Sequence, residues 1–115
     1  AAAKQGNYDT QYTNTVVATE NLLKAMVKAN IKRLVAISTF SVFDYLHIPE
    51  GEVINEGSPI ENQPAQRDIY AQTKLIQERL FREFEQTNHG KVTIIRPGIV
   101  YGRNNLWNAT FPLPM

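Results

Sequence analysis

The chain has 115 residues, a hydrophobic content of 43% and a formal net charge of +1. This length allows one small domain with a real core, and the even charge balance argues against nucleic acid or an acidic membrane as the main partner. Because the sequence contains no cysteine, disulfides and thiolate metal sites are excluded. We find neither an apolar run of membrane-spanning length nor a signal-peptide pattern, so we expect a soluble cytoplasmic protein.

The first predicted element is an amphipathic helix from Asp9 to about Ala29, with Asp9 as its N-cap. The pattern that marks it has spacings of three and four and consists of Tyr12, Val16, Thr19, Leu23, Met26 and Val27. Asn30 breaks this pattern. Residues 31–38 then predict a strand, because the unbroken apolar run of residues 34–37 is typical of a parallel strand covered on both faces.

A long loop is predicted over residues 39–66, which contain several prolines and glycines. A second amphipathic helix follows from about residue 67 to residue 87, with a Glu78/Arg82 ion pair on its polar side and Gly90 as its C-terminal stop. Residues 91–96 predict another strand, after which Pro97 and Gly98 turn the chain away.

The order helix, strand, helix, strand is half of a doubly wound α/β domain, that is, a partial Rossmann-like parallel sheet. In open sheets of this kind, ligands bind beyond the carboxyl ends of the strands. Thr39 and Pro97 lie at those ends. Tyr70 begins the helix after the long loop, so we expect it over the same crevice.

Tyr70 and Lys74 are four residues apart and therefore share one face of the second helix. A tyrosine phenol, with a pKa of about 10, is a poor base at neutral pH. An ammonium about 4 Å away, at an effective dielectric near 20, stabilises a phenolate by about 4 kcal/mol. With Ser38, Thr39 and Ser41 at the end of the first strand, the pair outlines an oxidoreductase site built around an activated phenol.

Four segments carry a family resemblance. They are TENLLKAMVKANIKRLVAISTFSVF (residues 19–43), the set Glu56, Pro59 and Pro64, YAQTK (residues 70–74) and RPGIVYG (residues 96–102). In this order and spacing they resemble the extended short-chain dehydrogenase/reductase family, the NAD-dependent epimerases and dehydratases that act largely on nucleotide sugars. Two positions depart from the family pattern, since Thr15 replaces its usual asparagine and Phe43 its usual tyrosine.

By position, the resemblance implies that Tyr70 is the acid/base, that Lys74 is its partner and the anchor of the nicotinamide ribose, and that Thr39 is the catalytic hydroxyl. Ser41 is implied to join Thr39 at the substrate. The implied cofactor is NAD or NADP, and the residues expected to contact it are Ala2, Lys4, Ser38, Tyr70, Lys74, Pro97, Gly98 and Val100.

The resemblance also places the glycine-rich cofactor loop before Ala1 and most of the substrate lobe after Met115. We therefore expect residues 1–115 to form one partial NAD(P)-binding domain, with the substrate lobe starting at about residues 103–115. A chain of this extent is expected to have no activity alone.

The leading interpretation is an NAD(P)-dependent epimerase, dehydratase or reductase with a small-molecule substrate such as a nucleotide sugar, forming a homodimer through its two helices. One alternative is a cofactor-sensing or scaffold relative without turnover, and another is an interaction piece that pairs through the same helices. No metal site is expected, because His47 and His89 have no second ligand nearby in sequence. The residues do not decide the substrate or the choice between NAD and NADP.

Overall fold

The computed structural model describes residues 5–98 and 102–103. The elements in chain order are α1 (Gln5–Tyr12), a π-helical segment (Thr13–Val17), α2 (Ala18–Lys28), β1 (Arg33–Ile37), 3-10 turns at Phe40–Val42 and Pro64–Gln66, α3 (Ile69–Asn88) and β2 (Lys91–Ile95). The predicted order of helix, strand, helix and strand is confirmed, and with it the α/β class.

The two strands form a parallel sheet in which β1 and β2 are neighbours. Their register runs from Arg33 opposite Lys91 to Ile37 opposite Ile95. The connection between them contains the long loop and α3, as expected of parallel strands, which need a long crossover. Both carboxyl ends therefore lie at one edge of the sheet, and α3 begins after the loop that leaves this edge.

The hydrophobic core lies between the helices and one face of the sheet. Its buried residues come from α2, both strands and α3, and they are Leu23, Met26, Ala36, Phe81, Phe84 and Val92. On the other face, Val35, Ile37 and Ile95 are exposed. The prediction that β1 is covered on both faces is therefore wrong for the described residues, because their helices pack on one side only.

The first helix is continuous through the π-helical segment. Tyr12 and Ala18, which flank the segment, both have right-handed helical backbone angles. Asp9 lies inside α1, so the prediction that it caps the helix is wrong. A π segment adds a residue to a turn and shifts the side chains that follow it around the helix axis.

The first helix ends in a left-handed turn at Asn30, whose φ is 57°. Ile31 N donates to Met26 O (2.8 Å), and Asn30 N donates to Val27 O (3.1 Å). These two hydrogen bonds form a Schellman motif, which satisfies carbonyls that the helix end leaves without partners. The break predicted at Asn30 is confirmed.

Helix α3 ends at Asn88, and the capping residue His89 takes the left-handed conformation with φ of 55°. The prediction that Gly90 is the stop is therefore wrong. Gly90 serves a close approach instead, since a Cβ there would overlap the ring of Phe84 and lie 3.0 Å from Lys32 O.

The predicted Glu78/Arg82 pair does not form, because each residue has another partner. Glu78 is buried and accepts from Arg96 through both carboxylate oxygens, from Nε at 3.0 Å and from Nη2 at 2.6 Å. Arg82 pairs with Glu85 at 2.9 Å near the surface. The Glu78–Arg96 pair instead ties α3 to the chain just beyond β2.

Candidate active site

The hydrogen-bond ladder of the sheet continues past the strands and places the serine-rich turn beside Pro97. Ser38 N donates to Ile95 O (2.7 Å), and Phe40 N donates to Pro97 O (2.9 Å). The 3-10 turn that follows packs against α3. The two segments predicted to meet at the carboxyl edge of the sheet therefore do meet there.

Lys74 reaches this edge from α3. Its Nζ donates to Ile37 O, the last carbonyl of β1, at 3.2 Å, and lies 6.0 Å from the centre of the Tyr70 ring. Partial burial lowers the pKa of Lys74, and the nearby carboxylate of Glu78 opposes that shift. Tyr70 is 43% exposed, so its side chain is accessible to a ligand.

The hydroxyls at the end of β1 differ in their contacts. Thr39 is buried, and its Oγ1 accepts a hydrogen bond from Ser41 N (3.1 Å), which caps the 3-10 turn. This contact uses one lone pair and leaves the hydroxyl hydrogen to donate. Ser38 is also buried, and its Oγ has no hydrogen-bond partner among the residues that the structure describes.

Some predicted site residues lie outside the described part of the chain. Ala2, Lys4 and Val100 are among them, and of the predicted start of the substrate lobe only Arg103 is described. Gly98 is described and exposed. The structure thus places Ser38, Thr39, Ser41, Tyr70, Lys74, Pro97 and Gly98 within the described ranges, and it shows Lys74 in contact with the end of β1.

The structure shows which contacts are made by the two residues that depart from the family pattern. Phe43 is buried, and the Arg96 guanidinium lies 5.0 Å from the centre of its ring. Thr15 lies in the π-helical segment, where its carbonyl accepts from Thr19 Oγ1 at 2.6 Å. Position 43 therefore supplies packing in this chain, and position 15 supplies a backbone acceptor.

A buried ion pair that no sequence pattern predicts joins the loop to the start of α3. Arg67 Nη1 donates to Glu61 Oε1 (3.1 Å), and Arg67 Nη2 donates to Ser41 O (2.9 Å). Only 5% of the Arg67 side chain and 3% of the Glu61 side chain are exposed. Because Arg67 lies three residues before Tyr70, this contact connects the serine turn to the helix that carries Tyr70.

Gln77 was also missed, although its spacing from Lys74 offered a local signal. Residues three apart on a helix are neighbours, and Lys74 Nζ donates to Gln77 Oε1 at 3.1 Å. No comparable signal exists for Arg67, whose partners are set by the path of the loop.

A sequence model described as the NAD dependent epimerase/dehydratase family matches residues 2–111. The chain belongs to this family. The chain is also similar to an Escherichia coli O157:H7 enzyme, with 29% identity over 101 residues. That enzyme is the N-acetyl-alpha-D-glucosaminyl-diphospho-ditrans,octacis-undecaprenol 4-epimerase. That alignment covers 85% of this chain and 28% of the relative's length. No solved structure matches the chain.

Membership of this family implies a nicotinamide cofactor, and the edge of the sheet fits such a group. Lys74 uses two of its three ammonium hydrogens on Ile37 O and Gln77 Oε1, which leaves one for a ligand hydroxyl. The unpartnered buried Oγ of Ser38 is a second polar atom at the same strand end.

Residues 5–98 and 102–103 contain neither a membrane-spanning helix nor a cluster of metal ligands. Among these residues, none of the helices is long and apolar enough to cross a membrane. The same ranges hold no group of three or more His, Cys, Asp or Glu residues that could bind a metal ion.

Proposed function

We propose that this chain carries the catalytic residues of an NAD(P)-dependent epimerase, dehydratase or reductase. The observation that carries the proposal is the position of Lys74, whose ammonium contacts the last carbonyl of β1 and lies beside the ring of Tyr70. This arrangement brings a fixed positive charge and a phenol to the edge where parallel α/β sheets bind ligands.

In this proposal Tyr70 exchanges a proton with a hydroxyl or carbonyl of the substrate. The ammonium of Lys74 lies 6.0 Å from the centre of the Tyr70 ring, and its remaining N–H group would bind a ribose hydroxyl of the cofactor. Thr39 donates its hydroxyl hydrogen to the substrate oxygen, with Ser41 beside it. A bound nicotinamide would supply the hydride chemistry.

We propose a substrate in which a sugar is linked to a diphosphate. The bacterial relative is by name an epimerase of an N-acetylglucosaminyl diphosphate carried on undecaprenol. A nucleotide sugar shares the sugar diphosphate and differs in the group beyond it. The similarity that supports this substrate class is 29% identity. The panel of test compounds therefore includes both polyprenol-linked sugar diphosphates and nucleotide sugars.

The exposed face of the sheet is relevant to whether this chain alone forms the active domain. Parallel sheets usually bury both faces, whereas Val35, Ile37 and Ile95 are exposed here. We propose that the chain is one part of an NAD(P)-binding domain and that other segments of the same protein cover this face.

We further propose that the active form is a homodimer that pairs through α2 and α3. A groove of about 390 Å³ lies between these helices, lined by Leu23, Val27 and Leu80 among others. Val27 is exposed. Val27→Glu should give a monomer in sedimentation velocity, whereas Val53→Glu, in the exposed loop, should leave the dimer intact. A dimer that survives Val27→Glu contradicts this interface.

The catalytic proposal is tested in the intact protein with Tyr70→Phe. We expect turnover of the sugar diphosphates to fall below detection, because phenylalanine has no proton to exchange. Binding of NAD(H) and NADP(H), followed by calorimetry, should change little. Tyr45→Phe is the matched control, since both tyrosines are 43% exposed, and it should keep normal turnover.

Two results would overturn the proposal. Normal turnover by Tyr70→Phe would show that Tyr70 is not the acid/base. Cofactor binding by the unmodified protein without turnover of any compound in the panel would favour the cofactor-sensing alternative.

A further inference from the structure

The ammonium of Lys74 is bound by an amide whose other end is fixed on the first helix. Lys74 Nζ donates to Gln77 Oε1 (3.1 Å), and Gln77 Nε2 donates to Thr19 Oγ1 (2.9 Å). Thr19 Oγ1 in turn donates to Thr15 O (2.6 Å) in the π-helical segment. Three consecutive hydrogen bonds therefore join Lys74 to the backbone of the first helix.

The direction of this chain of hydrogen bonds fixes the orientation of the Gln77 amide. A hydroxyl has one hydrogen, and Thr19 gives its hydrogen to Thr15 O, so toward Gln77 it must act as an acceptor. Gln77 must then present its NH₂ group to Thr19 and its carbonyl oxygen to Lys74. If the amide were reversed, its NH₂ group would meet an ammonium, which accepts no hydrogen bond.

The surroundings of Thr19 hold the Gln77 amide in this orientation. Thr19 is buried, so water has little access to its hydroxyl. The π-helical segment supplies the acceptor, since Thr15 O bonds Thr19 Oγ1 in addition to the backbone N–H of Ala18. The far end of the hydrogen-bond chain is therefore held by backbone.

We propose that Gln77, oriented by Thr19, is a positioning residue that fixes the ammonium of Lys74 for the reaction. Ile37 O and Gln77 Oε1 together take two of the three N–H groups of Lys74. Two fixed acceptors stop rotation about the terminal C–N bond and aim the third hydrogen in one direction. The inference rests on the proposed function for its catalytic consequence, but the positioning of Lys74 is testable without turnover.

The main experiment follows the titration of Lys74 by NMR in the intact protein with isotope-labelled lysine. The Lys74 signal is assigned by its loss in Lys74→Arg. Gln77→Met keeps the length of the side chain and removes both hydrogen bonds, so the pKa of Lys74 should fall by about half to one pH unit. Gln77→Glu places a carboxylate beside the ammonium and should raise the pKa of Lys74.

The decisive variant is Thr19→Val, which leaves both hydrogen-bond acceptors of Lys74 in place. Without the hydroxyl, only the ammonium itself orients the Gln77 amide, so the pKa of Lys74 should fall, by less than it does in Gln77→Met. Thr19→Ser restores the hydroxyl and should restore the Lys74 titration of the unmodified protein. Gln86→Met, an exposed position on the same helix, is the control and should change nothing.

Turnover provides the second measurement. Gln77→Met should lower kcat about fivefold to tenfold, the effect of one hydrogen bond, with little change in KM for the sugar substrate. Circular dichroism and urea midpoints confirm that each variant is folded.

Several outcomes would overturn the inference. One is an unchanged Lys74 titration in folded Gln77→Met or Thr19→Val, and another is failure of Thr19→Ser to restore it. Normal kcat in Gln77→Met, in a protein that Tyr70→Phe inactivates, would also overturn it. Failure of the proposed function is recognised separately, because Tyr70→Phe would then keep its turnover while the titrations still report on Gln77.

Discussion

Loss of the buried Arg67 guanidinium should cost this protein a large part of its stability. Besides Glu61 and Ser41 O, Arg67 binds Phe43 O (3.3 Å), and its guanidinium lies 4.6 Å from the centre of the Tyr45 ring. Arg67→Met keeps an unbranched apolar stem but leaves a carboxylate buried without its cation. Breaking such a pair typically costs about 3–5 kcal/mol, against a total stability of about 5–15 kcal/mol for a domain.

Arg82→Met is the matched control, because its ion pair with Glu85 has similar geometry at the surface. The two side chains of that pair are 50% and 24% exposed, and pairs of this kind contribute about 0–1 kcal/mol. Urea unfolding of the intact protein, followed by circular dichroism, measures both variants. We expect Arg67→Met to lose several times more stability, and the double variant Glu61→Gln/Arg67→Met to recover part of the loss. Equal midpoints for the two single variants would refute the reasoning.

Two further predictions concern Gly90 and His47. Gly90→Ala should destabilise the protein by about 1–3 kcal/mol, because the added methyl group overlaps the ring of Phe84. Gly57→Ala is the control, since a Cβ there makes only ordinary contact. Equal urea midpoints for the two variants would contradict this prediction. A hydrogen bond to Asp44 (2.7 Å) raises the pKa of His47 above 6.5. Its stabilising contribution is therefore complete below pH 6.5 and is lost as the pH rises through the raised pKa. NMR titration should show the pKa of His47 falling in Asp44→Asn, and no change there would rule out this account.

Most of the fold was predictable because it depends on local patterns. The three-and-four spacing of the first helix, the apolar run of β1 and the break at Asn30 each depend on neighbouring residues, and all three match the structure. The positions of Tyr70 and Lys74 on one helix followed from their spacing in the same way. Lys74 donates to the last carbonyl of β1, at the edge of the sheet over which Tyr70 is predicted to lie.

The errors arose where distant segments decide the outcome. Glu78 pairs with Arg96 rather than Arg82 because α3 packs against β2, which local spacing does not reveal. Composition predicts Gly90 as a helix stop, whereas the ring of Phe84 and the carbonyl of Lys32 require a glycine there. The Glu61–Arg67 pair depends on the path of a loop, and no local periodicity encodes that path.

The pairing of β1 with β2 also has a consequence for the time order of folding. Every backbone hydrogen bond between the strands joins residues separated by the whole loop and α3, so β1 leaves the ribosome long before its partner is synthesised. Contacts between residues so distant in sequence form slowly. During that interval the edge of β1 that later pairs with β2 has no β2 residue to bond, so this hydrogen-bond ladder closes only after α3 has been made.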